Sequence, residues 1–330
     1  MRRYLIHILF LFMLTISLQM TAQTDPQLSQ YYEVPTFFNP SATGNTDYIR
    51  IRGGYRMQWV GIDNAPRTFL GVADMPMKIA NKRIGLGLMF NQESIGLYKT
   101  LNAGAQISYK LKKLGGTWSI GLQIGLYDQS FKGSEVYIPD GDDYHEGNDD
   151  AIPTSDIHGT ALDLGLGLWY EHKLFYAGLS CTHLTSPTVT MNAESASGGS
   201  ETSSARRYEF KANRTMYFTA GSNIPIKNTL FEIMPSVLVK SDFTNTAAEL
   251  TARARYRKFL SFGLGYRFDD AVIVNIAAEY KNFYIGYSYD YATSAIHSAS
   301  SGSHEIFAGY SLKLDLSEKN RNRHKSVRVM

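Results

Sequence analysis

The chain has 330 residues and one cysteine, Cys181, which excludes an intrachain disulfide and a zinc site built from cysteine pairs. Beyond its first 22 residues it nowhere approaches the roughly 20 consecutive apolar residues of a spanning helix, which excludes a helical membrane anchor there. The formal net charge of +3 is small, and the uneven distribution of charge carries more information than its sum.

The chain opens with Arg2 and Arg3, an apolar run over 5–18, and then Thr21, Ala22 and Gln23. A basic head, a short greasy middle and a small residue near the cut describe a secretory signal peptide over 1–22, with cleavage expected after Ala22. As a membrane anchor the run is too short, and no stop-transfer pattern follows. Next comes a segment, about 23–45, that does not alternate and carries Pro26, Pro35 and Pro40 with Tyr31, Tyr32, Phe37 and Phe38.

Strict alternation then begins. Over 48–59, Ile49, Ile51, Tyr55, Met57 and Trp59 interleave with Arg50, Arg52, Arg56 and Gln58, so one strand face is apolar and aromatic and the other cationic. The pattern recurs over 67–74, 84–91, 100–111, 117–130, 160–170, 174–184, 211–222, 230–241, 247–256, 260–268, 271–280, 283–290 and 304–314. It is clearest where Trp118, Ile120, Leu122, Ile124 and Leu126 alternate with Ser119, Gly121, Gln123 and Gly125, and weakest in the second, third and eighth strands. Fourteen strands with an apolar face that needs an apolar environment predict an all-β transmembrane outer-membrane β-barrel spanning 23–316.

The connections sort into two sets. Those at 78–83, 110–116, 171–173, 255–258 and 281–282 are short and basic; those at 131–158, 185–207 and 291–303 are long, polar or acidic. Short turns face the periplasm in such barrels, so an even strand count predicts periplasmic termini, with 317–330 as a basic periplasmic tail. Gly309, Tyr310, Leu312 and Leu314 have the pattern of a final barrel strand.

Candidate sites are few. The acidic loop with Asp140, Asp142, Asp143, Glu146, Asp149 and Asp150 offers oxygen ligands for calcium, yet it lacks EF-hand spacing and reads first as a solvated loop whose like charges repel, so no metal is assigned. Arg50, Arg52, Arg56, Arg253, Arg255 and Arg267 fall on inward faces and would line an anion-attracting pore, unless Asp163, Glu232, Glu249 and Glu279 on the same faces pair with them. Ser180 and His183 are an odd number apart and are expected on opposite faces of their strand; no G-x-S-x-G elbow occurs, and the glycine-rich GLGLM and GLGLWY lie within strands. These observations predict no catalysis and no cofactor. Cys181 reads as a buried, inert thiol. An exported chain gives its basic tail no nucleic acid to bind.

Three stretches exceed what barrel physics requires: DPQLSQYYEVPTFFNPSATG, YRMQWVGIDNAPRTFLGVADMPM and YIGYSYDYATSAIHSASSGSHEIFAGY. In this order they resemble the PorP/SprF family, outer-membrane proteins of the type IX secretion system of Bacteroidetes. The resemblance implies a noncatalytic part in secreting proteins or attaching them to the cell surface. It implies as partners a secreted protein with a C-terminal sorting domain, a large adhesin among them, and periplasmic type IX ring or peptidoglycan-associated lipoproteins. The motif positions it singles out are Asp25, Gln27, Ser29, Gln30, Asn39 and Pro40, then Tyr55, Arg56, Gln58, Trp59 and Gly61, and finally Ser303, His304 and Glu305. They read either as a partner-binding set or as the contacts of an N-terminal plug. The fold alone also admits a diffusion channel for small solutes.

Overall fold

The computed structural model describes residues 25–79, 82–136, 153, 155–193 and 206–315. The leader, the acidic loop over 140–150 and the tail over 317–330 lie outside them. The barrel begins with seven strands: β1 (Tyr48–Met57), β2 (Arg67–Ile79), β3 (Lys82–Ile95), β4 (Tyr98–Lys113), β5 (Gly116–Phe131), β6 (Ile157–Glu171) and β7 (Phe175–Thr182). Next, β8 (Thr188–Ala193) and β9 (Arg206–Lys211) pair only with each other. The wall resumes with β10 (Thr215–Ser222), its two-residue extension β11 (Ile224–Pro225), β12 (Phe231–Ser241), β13 (Thr246–Tyr256) and β14 (Leu260–Arg267). It ends with β15 (Ala271–Tyr280), β16 (Phe283–Ala292) and β17 (Ser303–Lys313). Leaving β11 aside, fourteen long antiparallel strands form a closed ring, because β1 pairs with β17 from Tyr48↔Lys313 to Met57↔His304 and β10 pairs with both β7 and β12. Closure leaves no unpaired backbone edge, the condition for a sheet to cross a bilayer. No helix among the described residues is long and apolar enough to do so.

The wall is inside out relative to a soluble protein. On β5 the exposed residues are Trp118, Ile120, Leu122, Ile124 and Leu126, whereas Ser119 and Gln123 are buried in the lumen. Aromatic pairs ring both rims: Trp118 with Tyr170, Phe231 with Tyr256 and Phe283 with Tyr310 at the short-turn end, and Tyr98 with Phe131 and Tyr266 with Phe268 at the other. An apolar band between two aromatic girdles matches the layers of a membrane.

The lumen is filled by residues 25–46. They fold as a 3-10 turn (Tyr31–Glu33), a short helix α1 (Pro35–Phe38) and a second 3-10 turn (Pro40–Ala42), with Pro35 and Pro40 each opening its turn, where no backbone N–H is needed. Leu28, Tyr31, Val34, Phe37 and Phe38 pack against wall residues Leu70, Val72, Tyr217, Leu238, Tyr284 and Phe307 to form a hydrophobic core inside the barrel. At about 1.5–3 kcal/mol for each fully buried large side chain, this core holds the plug in place.

Several expectations change. β1 starts and β17 ends at the short-turn end, but the segment before β1 runs back through the whole lumen, so Asp25 lies beside Thr182 and His183 at the long-connection end. The two ends of the described chain therefore do not share one side. Where a connection was expected over 185–207, β8 and β9 pair as a hairpin that runs on to Lys211, and its Val189 and Met191 pack on Tyr127 and Ile157 of the wall. Lys211 belongs to that hairpin, and the barrel strand expected from 211 starts at Thr215. Cys181 is half-buried on the outward face of β7 and not enclosed.

Candidate functional site

The plug is held by three polar clusters placed along the lumen. The first is at the long-connection end, where Arg56 and Arg267 are both buried and face four carboxylates. Arg56 lies 2.8 Å from Asp290 and 3.2 Å from Glu305. Arg267 lies 2.8 Å from Glu249, 2.9 Å from Asp270 and 3.2 Å from Asp290. Ser29 of the plug sits at the centre. Its Oγ accepts from Arg56 at 2.9 Å and from Arg267 at 3.0 Å, and donates to Asp290 at 2.7 Å, which uses the full capacity of a hydroxyl. The backbone N–H groups of Ser29 and Gln30 donate to the Glu305 carboxylate at 2.9 and 2.7 Å. Tyr284 donates to the Gln30 side chain at 3.0 Å.

The second cluster holds Asp25. Its carboxylate accepts from the Thr182 hydroxyl at 3.0 Å and the Tyr217 hydroxyl at 2.5 Å, and faces His183 Nε2 at 2.8 Å; Lys240 donates to its carbonyl at 2.7 Å. His183 Nδ1 lies 3.1 Å from Asp163, so the ring stands between two carboxylates. Burial alone would raise the Asp25 carboxyl, but the charge and hydrogen bond of His183, then Tyr217 and Lys240, hold it below the usual range. For His183, burial opposes the charged ring, yet Asp25 and Asp163 together push its pKa up to about 10. His183 follows β7 with φ +50°, and this left-handed residue breaks the strand alternation. The odd-spacing expectation thus fails: Ser180 and His183 are both buried in the lumen. Ser180 donates to the Phe38 carbonyl at 2.6 Å, so it serves the plug and not the histidine.

The third cluster anchors the plug near the short-turn end. Asn39 donates to the Leu168 and Leu179 carbonyls of the wall at 3.0 and 3.2 Å while its Oδ1 accepts from the Ser41 backbone at 3.0 Å. Arg83 donates to the carbonyls of Gly44, Asn45 and Thr46 at 3.3, 3.2 and 2.8 Å, and Asp74 accepts from the Gly44 N–H at 2.8 Å. Inward glycines make room: a Cβ on Gly167 would meet Asn39 Oδ1 at 2.0 Å, and one on Gly121 would meet the Ser41 nitrogen at 2.3 Å.

The structure brings most of the singled-out residues together. Asp25, Ser29, Gln30, Asn39 and Pro40 are in the plug, and Gln27 donates to Glu249 at 3.5 Å. Arg56 and Glu305 are directly opposed in the β1–β17 register. Trp59 (φ +50°) donates its backbone N–H to the Ser303 hydroxyl at 3.1 Å, Gly61 is left-handed at φ +104°, and Gln58 bonds its backbone to Pro66, so these four shape the mouth above Arg56. Tyr55 and His304 face outward, Tyr55 exposed and His304 bonded to the Tyr287 hydroxyl at 2.7 Å, and neither joins the network. Asp290, Asp74, Tyr217 and Lys240 complete it without having been singled out; the inward parity of Asp290 with Ser288 was the available signal.

The inward arginines are paired. Arg50 meets Asp74 at 3.1 Å, Arg255 meets Glu232 at 2.5 Å, and Arg52 and Arg253 meet Glu33 of the plug at 3.8 and 3.3 Å. Arg253 also lies 3.3 Å above the Tyr32 ring.

A closed antiparallel barrel with an apolar outer band and an internal plug defines an integral β-barrel of the outer-membrane class. The family described as type IX secretion system membrane protein PorP/SprF matches residues 20–310, and the chain belongs to it. No curated protein matches. Among solved structures the chain is similar to the Ralstonia pickettii toluene transporter TbuX, at 10% identity over 86% of this chain and 94% of that one, with a TM-score of 0.48. It is similar to the translocator domain of autotransporter NalP from Neisseria meningitidis, at 10% identity over 86% and 94%, TM-score 0.40. It is also similar to outer membrane phospholipase A from Escherichia coli, at 10% identity over 84% and 98%, TM-score 0.34.

Proposed function

We propose that this protein is a noncatalytic, plugged adaptor of type IX secretion in the outer membrane, serving the secretion or surface attachment of a protein with a C-terminal sorting domain, such as a large adhesin. The observation that carries this reading is the lumen packed from one mouth to the other by residues 25–46, which leaves the two mouths as the surfaces for partners. The short-turn mouth opens into a cavity of about 1230 Å³ lined by Lys82, Arg83, Lys110, Lys112, Lys113 and Lys173 among others, and suits an acidic face of a periplasmic ring or peptidoglycan-associated lipoprotein. Ser180 is bonded to the plug and His183 is held between carboxylates, so these two are not coupled as nucleophile and base.

The test is deletion of the gene in its native host with quantitative proteomics of the medium and cell surface. Loss of every type IX cargo would mark a core component, loss of one a dedicated partner, and no change would defeat the secretion reading. Planar bilayers address the diffusion-channel alternative: the plugged protein stays closed, and a steady open conductance would favour the channel.

A further inference from the structure

At the long-connection mouth, between the β8–β9 hairpin and β3, β4 and β5, lies a cavity of about 250 Å³ beside the start of the plug. Asn91 and Asn102 stand opposite each other in the β3–β4 register, and both line it. They are only 4% and 8% exposed, and each carries a buried side-chain oxygen without a hydrogen-bond partner among the described residues. Glu93, on the same face of β3, lines the cavity too, and its carboxylate receives a bond of 3.4 Å from the Thr68 hydroxyl. No lysine or arginine is among the lining residues, and the one histidine, His183, is committed to Asp25 and Asp163. The cavity therefore has acceptors in excess, and the one cationic side chain on its wall is already spent on two carboxylates. Buried acceptors without donors are unfavourable, so the site is built for something that supplies them. The sides are aromatic: Tyr98, Tyr127 and Phe210 line the cavity, the last two with rings stacked at 6.2 Å.

We propose that this cavity binds an alkylammonium group. An ammonium brings three donors and no acceptor, which answers Asn91, Asn102 and Glu93 together, and aromatic faces attract the same charge. A carboxylate ligand would meet Glu93 and Asp25 with like charge. A neutral alcohol offers one donor to three acceptors. The ammonium comes either from a free small amine or from a lysine side chain of a protein at the mouth.

The experiment is titration calorimetry of the full-length protein in detergent micelles with n-butylammonium, and with n-butanol as the uncharged analogue. Saturable binding of one n-butylammonium, at least 10-fold tighter than n-butanol, is expected, with at least a 10-fold loss in Glu93→Gln, which keeps the shape and removes the charge. Asn91→Leu/Asn102→Leu gives a second reading should Glu93→Gln fail to fold, as judged by heat-modifiable migration in gels. No saturable binding by the unaltered protein, equal binding of n-butanol, or full binding by folded Glu93→Gln would each overturn the assignment. The peptide Gly-Lys-Gly with blocked ends separates the sources: binding as tight as n-butylammonium points to a protein lysine, and exclusion of the peptide with n-butylammonium retained points to a free amine.

Discussion

Glu305 shows how much one side chain can organise. It takes two plug N–H groups and one guanidinium, all away from water, and removing it leaves two backbone donors and part of Arg56 without partners. Glu305→Ala is expected to cost about 3–5 kcal/mol, the range for breaking a buried charge pair. The loss falls on the plug, which contains no lysine or arginine, so chymotrypsin is the right probe: cleavage at Tyr31 or Phe37 should appear in the variant and be absent from the unaltered barrel. The Asp25 latch adds a pH dependence of definite sign. His183 has its pKa raised from 6.5 to about 10, so its contribution is complete below about pH 6.5 and lost as pH rises through about 10. Asp25 is held low and its contribution is lost only in acid, as pH falls below the ordinary carboxylate range. The heat-modification midpoint should therefore fall between pH 7 and 10.5 more steeply in the unaltered protein than in His183→Gln; equal slopes would sink the latch.

At the level of elements, the barrel was legible because alternation repeats: all fourteen expected strands are present, most within a few residues of their ends. The weak strands were weak for a physical reason. In β2 the inward positions Leu70 and Val72 are apolar because they pack on the plug, so neither face reads as polar. The plug itself lacked periodicity, since its turns are set by prolines and its partners lie far away in sequence: Ser29 meets Glu305, and Asn39 meets Leu168. Composition showed it only as a segment unlike the barrel. The hairpin was missed because β8 and β9 are short and separated by a long stretch, and His183 because one left-handed residue undoes a parity argument. The cradle also makes an element-scale prediction. Gly121→Val adds a side chain where even a Cβ would meet the Ser41 nitrogen at 2.3 Å, while the outward face of β5 is untouched. The barrel should still assemble and migrate as a folded species, but with residues 39–43 displaced, and bilayer conductance should rise from closed to open. A Gly121→Val barrel that stays closed would mean the wall, and not the plug, sets the seal.

For the whole molecule, the two ends differ in what they present. At the long-connection end the hairpin packs on Tyr127 and Ile157 and the Arg56–Arg267 cluster lies in the lumen, whereas the short-turn end is a wide basic mouth where the plug meets β1. Lys110 at this mouth is tied to Asn45 of the plug, so a ligand bound among its neighbours would touch the segment that fills the lumen. Lys112 and Lys113 line the mouth, and Lys258 lies in the exposed β13–β14 turn at the same end. Attraction between exposed charges is weak for each pair and screened by salt, so docking on this face needs several lysines at once and should fade with ionic strength. Charge reversal of Lys112, Lys113 and Lys258 together is expected to leave the barrel folded, since none of the three is buried, while periplasmic proteins recovered with it from gently solubilised membranes fall at least several-fold. The same loss should follow from raising the salt during recovery of the unaltered protein. If the triple variant recovers its partners in full, the basic mouth is a solvated rim, and the docking surface has to be sought at the hairpin end.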